Sequence, residues 1–358
     1  MAKLRVLVID DSAFNRQTIV EMLESHAEIE VVGKAFDGEE GLKLATQLEP
    51  DMITLDIEMP RMDGFTFLRI LMSRLPTPVI VISSHSRKEE VFQALELGAL
   101  DFIAKPDHHI GPDLNAIREE LLSKTLVVRS LRKVVVAGAA ERRKEIRAEV
   151  AKFPAPSPTT GKEAVERIVC LGASTGGPPA LELIFKFLPP TPTTAYLVAQ
   201  HMPEKFTRAF AERLDRMSTL NIVEAEGGAP IVGGRAFVAP GGSHMEIEPD
   251  GDRGWRVRLL TGTEGDRYIP SIDALFESAA ASFPGSVMAV ILTGMGSDGR
   301  AGIEAVHAAG GHTVAESEAS AVVFGMPKEA IRSGCVDDVM ALSAIVGEVL
   351  RFAAVIPS

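Results

Sequence analysis

Aromatic residues are scarce in this chain, with one Trp and two Tyr among 358 residues. A stacking platform for single-stranded nucleic acid needs several rings, so the composition argues against one. Positive charge is short too: 37 Lys and Arg face 49 Asp and Glu, for a formal net charge of −12. An acidic chain is repelled by phosphates, which argues against a general affinity for nucleic acid. The two cysteines, Cys170 and Cys335, exclude a disulfide framework and a cysteine-based zinc site. Cys170 lies in the apolar run Ile168-Val169-Cys170-Leu171 and reads as a buried thiol. No apolar stretch reaches the roughly 18 residues needed to span a bilayer, so no membrane insertion is expected. Met-Ala-Lys-Leu-Arg-Val leads directly into a strand pattern, without the apolar core and cleavage site of a signal peptide. A cytoplasmic protein is the expectation.

What is present is ordinary globular material, 46% hydrophobic and 24% charged. The length suggests two to three domains and is ample for buried cores. From Leu4 to Lys105, short apolar strands alternate with helical patterns. The strands are Leu4 to Ile9, Ile29 to Ala35, Asp51 to Leu55, Pro78 to Ile82 and Leu100 to Ala104, and a last helix starts near Asp113. This rhythm predicts a parallel sheet covered on both faces, a flavodoxin-like (βα)5 domain. From about Thr125 to Glu166 the character changes. Leu126 to Lys152 is rich in Arg and Lys, and Phe153 to Lys162 carries prolines at alternate positions, which no helix or central strand accepts. That stretch reads as a linker. The basic segment can be a solvated helix or a docking element. A second α/β pattern begins at Arg167, with strands at Ile168 to Leu171, Tyr196 to Gln200 and Val287 to Leu292, and several shorter candidates between Asn221 and Leu260. The expected domains are 1–122, a linker over 123–165, and a doubly wound α/β domain over 166–354.

Asp10, Asp11, Asp56, Ser83 and Lys105 all fall at C-terminal strand ends, where open α/β sheets bind ligands. Three converging carboxylates repel one another unless a hard cation such as Mg²⁺ neutralises them. Lys105 and Ser83 can hold a phosphoryl group, and the Asp56 carboxylate can accept it as an acyl phosphate. The bland alternative, polar residues capping loops, weakens when five residues at four strand ends share the pattern.

These residues, with Leu55-Asp56-Ile57-Glu58-Met59-Pro60-Arg61-Met62-Asp63-Gly64 and Ala104-Lys105-Pro106, resemble the receiver domain of two-component response regulators. The resemblance implies phosphorylation of Asp56 by a histidine kinase. It implies Mg²⁺ held by Asp11, Asp56 and the Glu58 backbone carbonyl, with Asp10 nearby. It makes Phe102 the switch aromatic, Ser83 and Lys105 its partners, and the Lys105-Pro106 bond a candidate for cis.

In the second domain Gly172-Ala173-Ser174-Thr175-Gly176 matches G-x-S-x-G between a strand and a helix, the context of a nucleophile elbow. Gly-rich turns of this kind also bind phosphates. His201 ends a strand and is the candidate base. Asp298, in a Gly-rich loop after a buried strand, is either the orienting acid or a helix N-cap. His244 is a further candidate, while His26, His307 and His312 read as solvated or capping. Gly172 to Gly177, Gln200-His201-Met202-Pro203-Glu204-Lys205-Phe206-Thr207, Ala239-Pro240-Gly241-Gly242, Thr293-Gly294-Met295-Gly296-Ser297-Asp298-Gly299 and Gly325-Met326-Pro327 resemble the catalytic domain of the CheB family, chemotaxis regulators with protein-glutamate methylesterase activity. The resemblance implies Ser174 as nucleophile, His201 as base, Asp298 as orienting acid and the Met295 N–H as oxyanion donor. It implies no cofactor for the ester chemistry, methylated chemoreceptors as substrates, deamidation of receptor glutamines, and inhibition by the receiver until it is phosphorylated. Arg300, Glu316 and Ala321 depart from the residues expected on that basis.

Overall fold

The computed structural model describes residues 2–84, 88–105, 117–130, 147–148, 164–263 and 265–353. The chain divides into two compact units, Met1–Ala137 and Gly138–Ser358. Most of the basic segment, all of the Pro-rich run, His85, His108, His109 and the Lys105–Pro106 bond lie outside the described residues.

In the first unit the strands are β1 (Leu4–Ile9), β2 (Ile29–Ala35), β3 (Met52–Leu55), β4 (Val79–Ser84) and β5 (Asp101–Lys105). They form a parallel sheet in the order β2-β1-β3-β4-β5. Helices α1 (Ala13–Glu24), α2 (Gly38–Leu48), α3 (Gly64–Arg74), α4 (Lys88–Glu96) and α5 (Arg118–Val127) connect and flank the strands. The sequence sets the starts of three of them. Ser12, Asp37 and Asp63 each accept the amide three residues on, which satisfies an N–H that a helix end leaves open. Leu7, Val8, Ile53, Ile80 and Val81 are fully buried, as a sheet covered on both faces requires. Each such side chain gains roughly 1.5–3 kcal/mol on leaving water. Helix α5 is described from Arg118 and runs past residue 122, and Arg129 beyond it donates to the carbonyls of Ala2 and Glu28.

The second unit has a seven-stranded parallel sheet in the order β14-β13-β12-β6-β7-β9-β8. The strands are β6 (Arg167–Ala173), β7 (Thr194–Gln200), β8 (Asn221–Glu224), β9 (Arg235–Val238), β12 (Val287–Ile291), β13 (His312–Glu316) and β14 (Asp338–Met340). The remaining two, β10 (Ser243–Pro249) and β11 (Trp255–Thr261), leave the sheet as an antiparallel pair. Its helices are α6 (Gly177–Phe185), α7 (Glu204–Met217), α8 (Ile272–Ser282), α9 (Arg300–Ala308), α10 (Met326–Arg332) and α11 (Leu342–Ala353). The chain winds from β6 toward β8 on one side, then returns to place β12 against the other edge of β6. That reversal is a topological switch point, and the loops after β6, β7 and β12 meet there.

Candidate functional sites

In the first unit the loops after β1 and β3 bring Asp10, Asp11 and Asp56 together, with carboxylate oxygens within 4.8 Å of one another. Asp10 and Asp56 are buried and Asp11 is exposed. Lys105, at the end of β5, reaches Asp56 Oδ2 at 2.6 Å and Asp10 Oδ2 at 3.0 Å. Burial pushes the Asp10 carboxyl up to about 6, and the Asp56 charge adds to this against the pull of Lys105. Burial also opposes the charge on Lys105, but Asp56 and Asp10 outweigh it and hold the ammonium above its usual range. The cluster thus remains short of positive charge with Lys105 in place, and its all-oxygen donor set suits a hard divalent cation. The Glu58 amide donates to Asp56 Oδ1 at 3.4 Å.

Ser83 is buried beside Ala104, its register partner on β5. Phe102 is buried as well. Lys124 of α5, which the motifs did not single out, donates to the Phe102 carbonyl at 2.6 Å and lies 5.5 Å from its ring centroid.

In the second unit Ser174 follows β6 directly, and Gly176, at φ +77°, makes the turn into α6. This is the strand-turn-helix context that G-x-S-x-G requires. A Cβ at Gly177 would run into the Gln200 amide. Gln200 Nε2 donates to the Ser174 carbonyl at 3.0 Å and to the His201 carbonyl at 2.9 Å, tying the ends of β6 and β7 together. The His201 amide donates to Ala173 O at 3.0 Å, which sets the histidine beside the serine.

His201 Nε2 lies 2.7 Å from Asp298 Oδ2. Asp298 is buried and does not cap the helix that follows it. It accepts the amides of Ile272 at 2.8 Å and Asp273 at 3.0 Å, the first turn of α8, and the Ser271 hydroxyl at 3.2 Å. Burial opposes its charge, but the His201 hydrogen bond and charge and these amides outweigh it and hold the carboxyl below its usual range.

Met295 is partly exposed, and its N–H has no hydrogen-bond acceptor among the described residues. The preceding residue, Gly294, abuts the nucleophile: a Cβ there would come 2.8 Å from Ser174 Cβ. The loop is braced from behind. Glu316 Oε2 accepts the Thr293 amide at 2.8 Å, and the Thr293 hydroxyl donates to Thr175 O at 2.9 Å.

Sequence reasoning missed Tyr268, whose ring stacks on His201, and Asp273, whose carboxyl burial pushes up to about 6. Tyr268 follows no strand directly and lies in no catalytic pattern. His244 does not join His201 and Asp298. Its Nδ1 accepts the Ser271 amide at 3.1 Å, and its Nε2 lies 3.2 Å from Asp266 Oδ2.

Comparison with known proteins adds the family. The description CheB methylesterase matches residues 169–349, and response regulator receiver domain matches residues 6–110. The protein-glutamate methylesterase/protein-glutamine glutaminase 3 of Geobacter sulfurreducens is 48% identical over 363 residues, covering 98% of this chain and 98% of that protein. The protein-glutamate methylesterase/protein-glutamine glutaminase 6 of Anaeromyxobacter dehalogenans is 50% identical over 354 residues, covering 98% of this chain and 96% of that protein. Among solved structures, the CheB methylesterase catalytic domain of Thermotoga maritima is 37% identical, with a TM-score of 0.49, and covers 51% of this chain and 98% of its own.

Proposed function

The chain belongs to the CheB methylesterase family, and from that premise we propose how its two sites carry out and control the reaction. It is a protein-glutamate methylesterase and protein-glutamine glutaminase with a phosphorylation-regulated receiver domain, acting in chemotaxis. The working division is a receiver over 1–122, extended by the rest of α5, a linker to 165, and a catalytic domain over 166–354. No described helix is long and apolar enough to cross a membrane. A cytoplasmic location, a histidine kinase as phosphodonor and methylated chemoreceptors as substrate complete the reading.

Ser174 Oγ attacks the γ-carbonyl of a glutamate methyl ester. Because Nε2 of His201 is committed to Asp298, Nδ1 is the nitrogen that takes the serine proton. Ionised Asp298 holds that tautomer and stabilises the imidazolium. The Met295 N–H meets the oxyanion, an interaction worth about 10²–10³ in rate in other enzymes. Collapse of the tetrahedral intermediate expels methanol, which leaves with the proton from His201. Water then attacks the acyl-enzyme with His201 as base, releasing the glutamate carboxylate. A glutamine substrate follows the same route with ammonia as leaving group. The residues performing these steps need no cofactor.

In the receiver, Asp56 accepts the phosphoryl group. Asp10, Asp11, Asp56 and the Glu58 carbonyl would hold Mg²⁺, which when bound would supply positive charge to offset that of a phosphoryl group. Lys105 pairs with the product, and Ser83 and Phe102 carry the change onward. The observation that supports the reading is the 2.7 Å contact of His201 Nε2 with Asp298 Oδ2, together with the backbone hydrogen bond of His201 to Ala173, the residue before Ser174. The test is methanol release from methylated receptor membranes, with and without Mg²⁺ and a small phosphodonor. Release should require Ser174 and should rise with phosphodonor only when Asp56 is intact. A folded protein phosphorylated on Asp56 that releases no methanol would sink the proposal.

A further inference from the structure

His201 is held at its edge by Asp298 and on its flat face by Tyr268. The two ring centroids are 4.8 Å apart, and the planes are within 6° of parallel. One hydrogen bond at Nε2 fixes a point of the imidazole but leaves the ring free to roll about that bond. A ring stacked on the face removes this freedom and excludes water from that side.

The loop that carries Tyr268, between β11 and α8, is itself clamped. The Gly262 amide donates to Gly242 O at 3.0 Å. Asp266 Oδ2 accepts the Thr263 amide at 2.7 Å and the Thr263 hydroxyl at 3.0 Å, and lies 3.2 Å from His244 Nε2. Gly296, at φ +95°, has the Tyr268 hydroxyl where a side chain would be, so the loop bearing Met295 and Asp298 packs on the phenol. The Arg267 guanidinium lies 5.2 Å from the Tyr268 ring centroid.

We propose that Tyr268 is a positioning residue for the general base, fixing the plane of His201 so that Nδ1 stays aligned with Ser174 and lending its π-face to the imidazolium formed during the reaction. The inference rests on the esterase reading above. Negative charge on the face of an aromatic ring attracts a cation stacked on it, so the Tyr268 ring suits the imidazolium that the reaction forms. Charged groups near His201 among the described residues include Asp298 at Nε2, Asp273, whose amide Asp298 accepts, Glu204 and Lys205 just along the chain, and Arg267 beside the Tyr268 ring. The variants below leave all of them unchanged.

The full-length protein is compared as wild type, Tyr268→Phe and Tyr268→Leu. Leucine fills the space and keeps water out but offers no π-face. Methanol release should show kcat down about tenfold in Tyr268→Leu, with KM within about twofold, and Tyr268→Phe close to wild type. In a Ser174→Ala background, the His201 ring protons should be shifted upfield by the stacked ring in nuclear magnetic resonance spectra. That shift should survive Tyr268→Phe and vanish in Tyr268→Leu. An unchanged kcat in Tyr268→Leu overturns the proposal. So does a rise in KM alone, which would make Tyr268 a substrate contact, or an equal loss in Tyr268→Phe, which would assign the role to the hydroxyl. If Tyr268→Leu fails to fold, absence of the upfield shift in the Ser174→Ala protein overturns it alone. A wild type that releases no methanol defeats the esterase reading, while the spectra still decide the stack.

Discussion

His201 turns Nε2, rather than Nδ1, to Asp298, at 2.7 Å from Oδ2. On the proposed mechanism, Asp298 therefore dictates which nitrogen is left for Ser174. An Asn at 298 with its NH₂ in place of Oδ2 keeps Oδ1 for the Asp273 amide and the Ser271 hydroxyl but leaves the Ile272 amide without its acceptor, and the NH₂ donates to Nε2 and forces the proton onto Nδ1. The base is then occupied where it should be free. Asp298→Asn should lower kcat by about 10⁴, equivalent to about 5.5 kcal/mol of transition-state stabilisation, with a smaller loss of stability, about 1–3 kcal/mol, from the unpaired Ile272 amide. Methanol release within tenfold of wild type would show that Asp298 serves the first turn of α8 and not His201.

Gly294 sits against the nucleophile, and a Cβ there would come 2.8 Å from Ser174 Cβ and run into Met326 Sδ. Gly294→Ala should push the Met295 amide and Ser174 apart. A misplacement on the order of 1 Å costs about 10² in rate, so kcat should fall by about that factor with little change in KM. Acylation of Ser174 by a phosphonate should slow in parallel. Normal acylation would mean that the loop absorbs the methyl group elsewhere.

The acidic cluster of the receiver predicts separable metal requirements. Chelation of divalent cations should abolish phosphorylation of Asp56, whereas methanol release by the unphosphorylated protein should persist. Lys105→Ala should impair the phosphodonor-driven rise, because Lys105 contacts both Asp10 and Asp56. Loss of the unphosphorylated rate on chelation would place a metal in the ester chemistry.

The receiver was legible almost strand by strand, because a sheet buried on both faces writes continuous apolar runs such as Leu4–Ile9 and Val79–Ser84. Ser174, His201 and Asp298 were legible because each follows a strand and belongs to a motif. Tyr268 and Asp273 were not. Tyr268 lies in the loop between β11 and α8 and Asp273 in the first turn of α8, and only the fold brings them to His201 and Asp298, which no local spacing encodes. Asp298 itself was ambiguous, since a Gly-rich loop before a helix suggests a cap. Only the fold shows that it takes amides from α8, a helix earlier in the chain. The pair β10 and β11 reads like any strands, and the sequence holds no sign that it leaves the main sheet.

Asp273 gives a prediction about stability. Burial pushes its carboxyl from 3.8 up to about 6, with the Asp298 charge adding to the effect against the Gly302 amide that it accepts. Between those two pH values the folded state holds a proton that the unfolded state has lost. Stability contributed here therefore falls as pH rises from about 4 to about 6, and the cost is fully present above that range. Asp298 works in the opposite sense: its carboxyl is held below its usual range, so its contribution is lost as pH falls through that lower range. Asp273→Asn keeps an acceptor for the Gly302 amide, at 2.7 Å in the native protein, but carries no charge at any pH. Its catalytic-domain unfolding transition should lie above that of wild type at pH 7.5. The two should converge as pH is lowered toward 4. Melting curves that stay parallel across that range would mean that Asp273 is ionised throughout, its charge compensated by a cation.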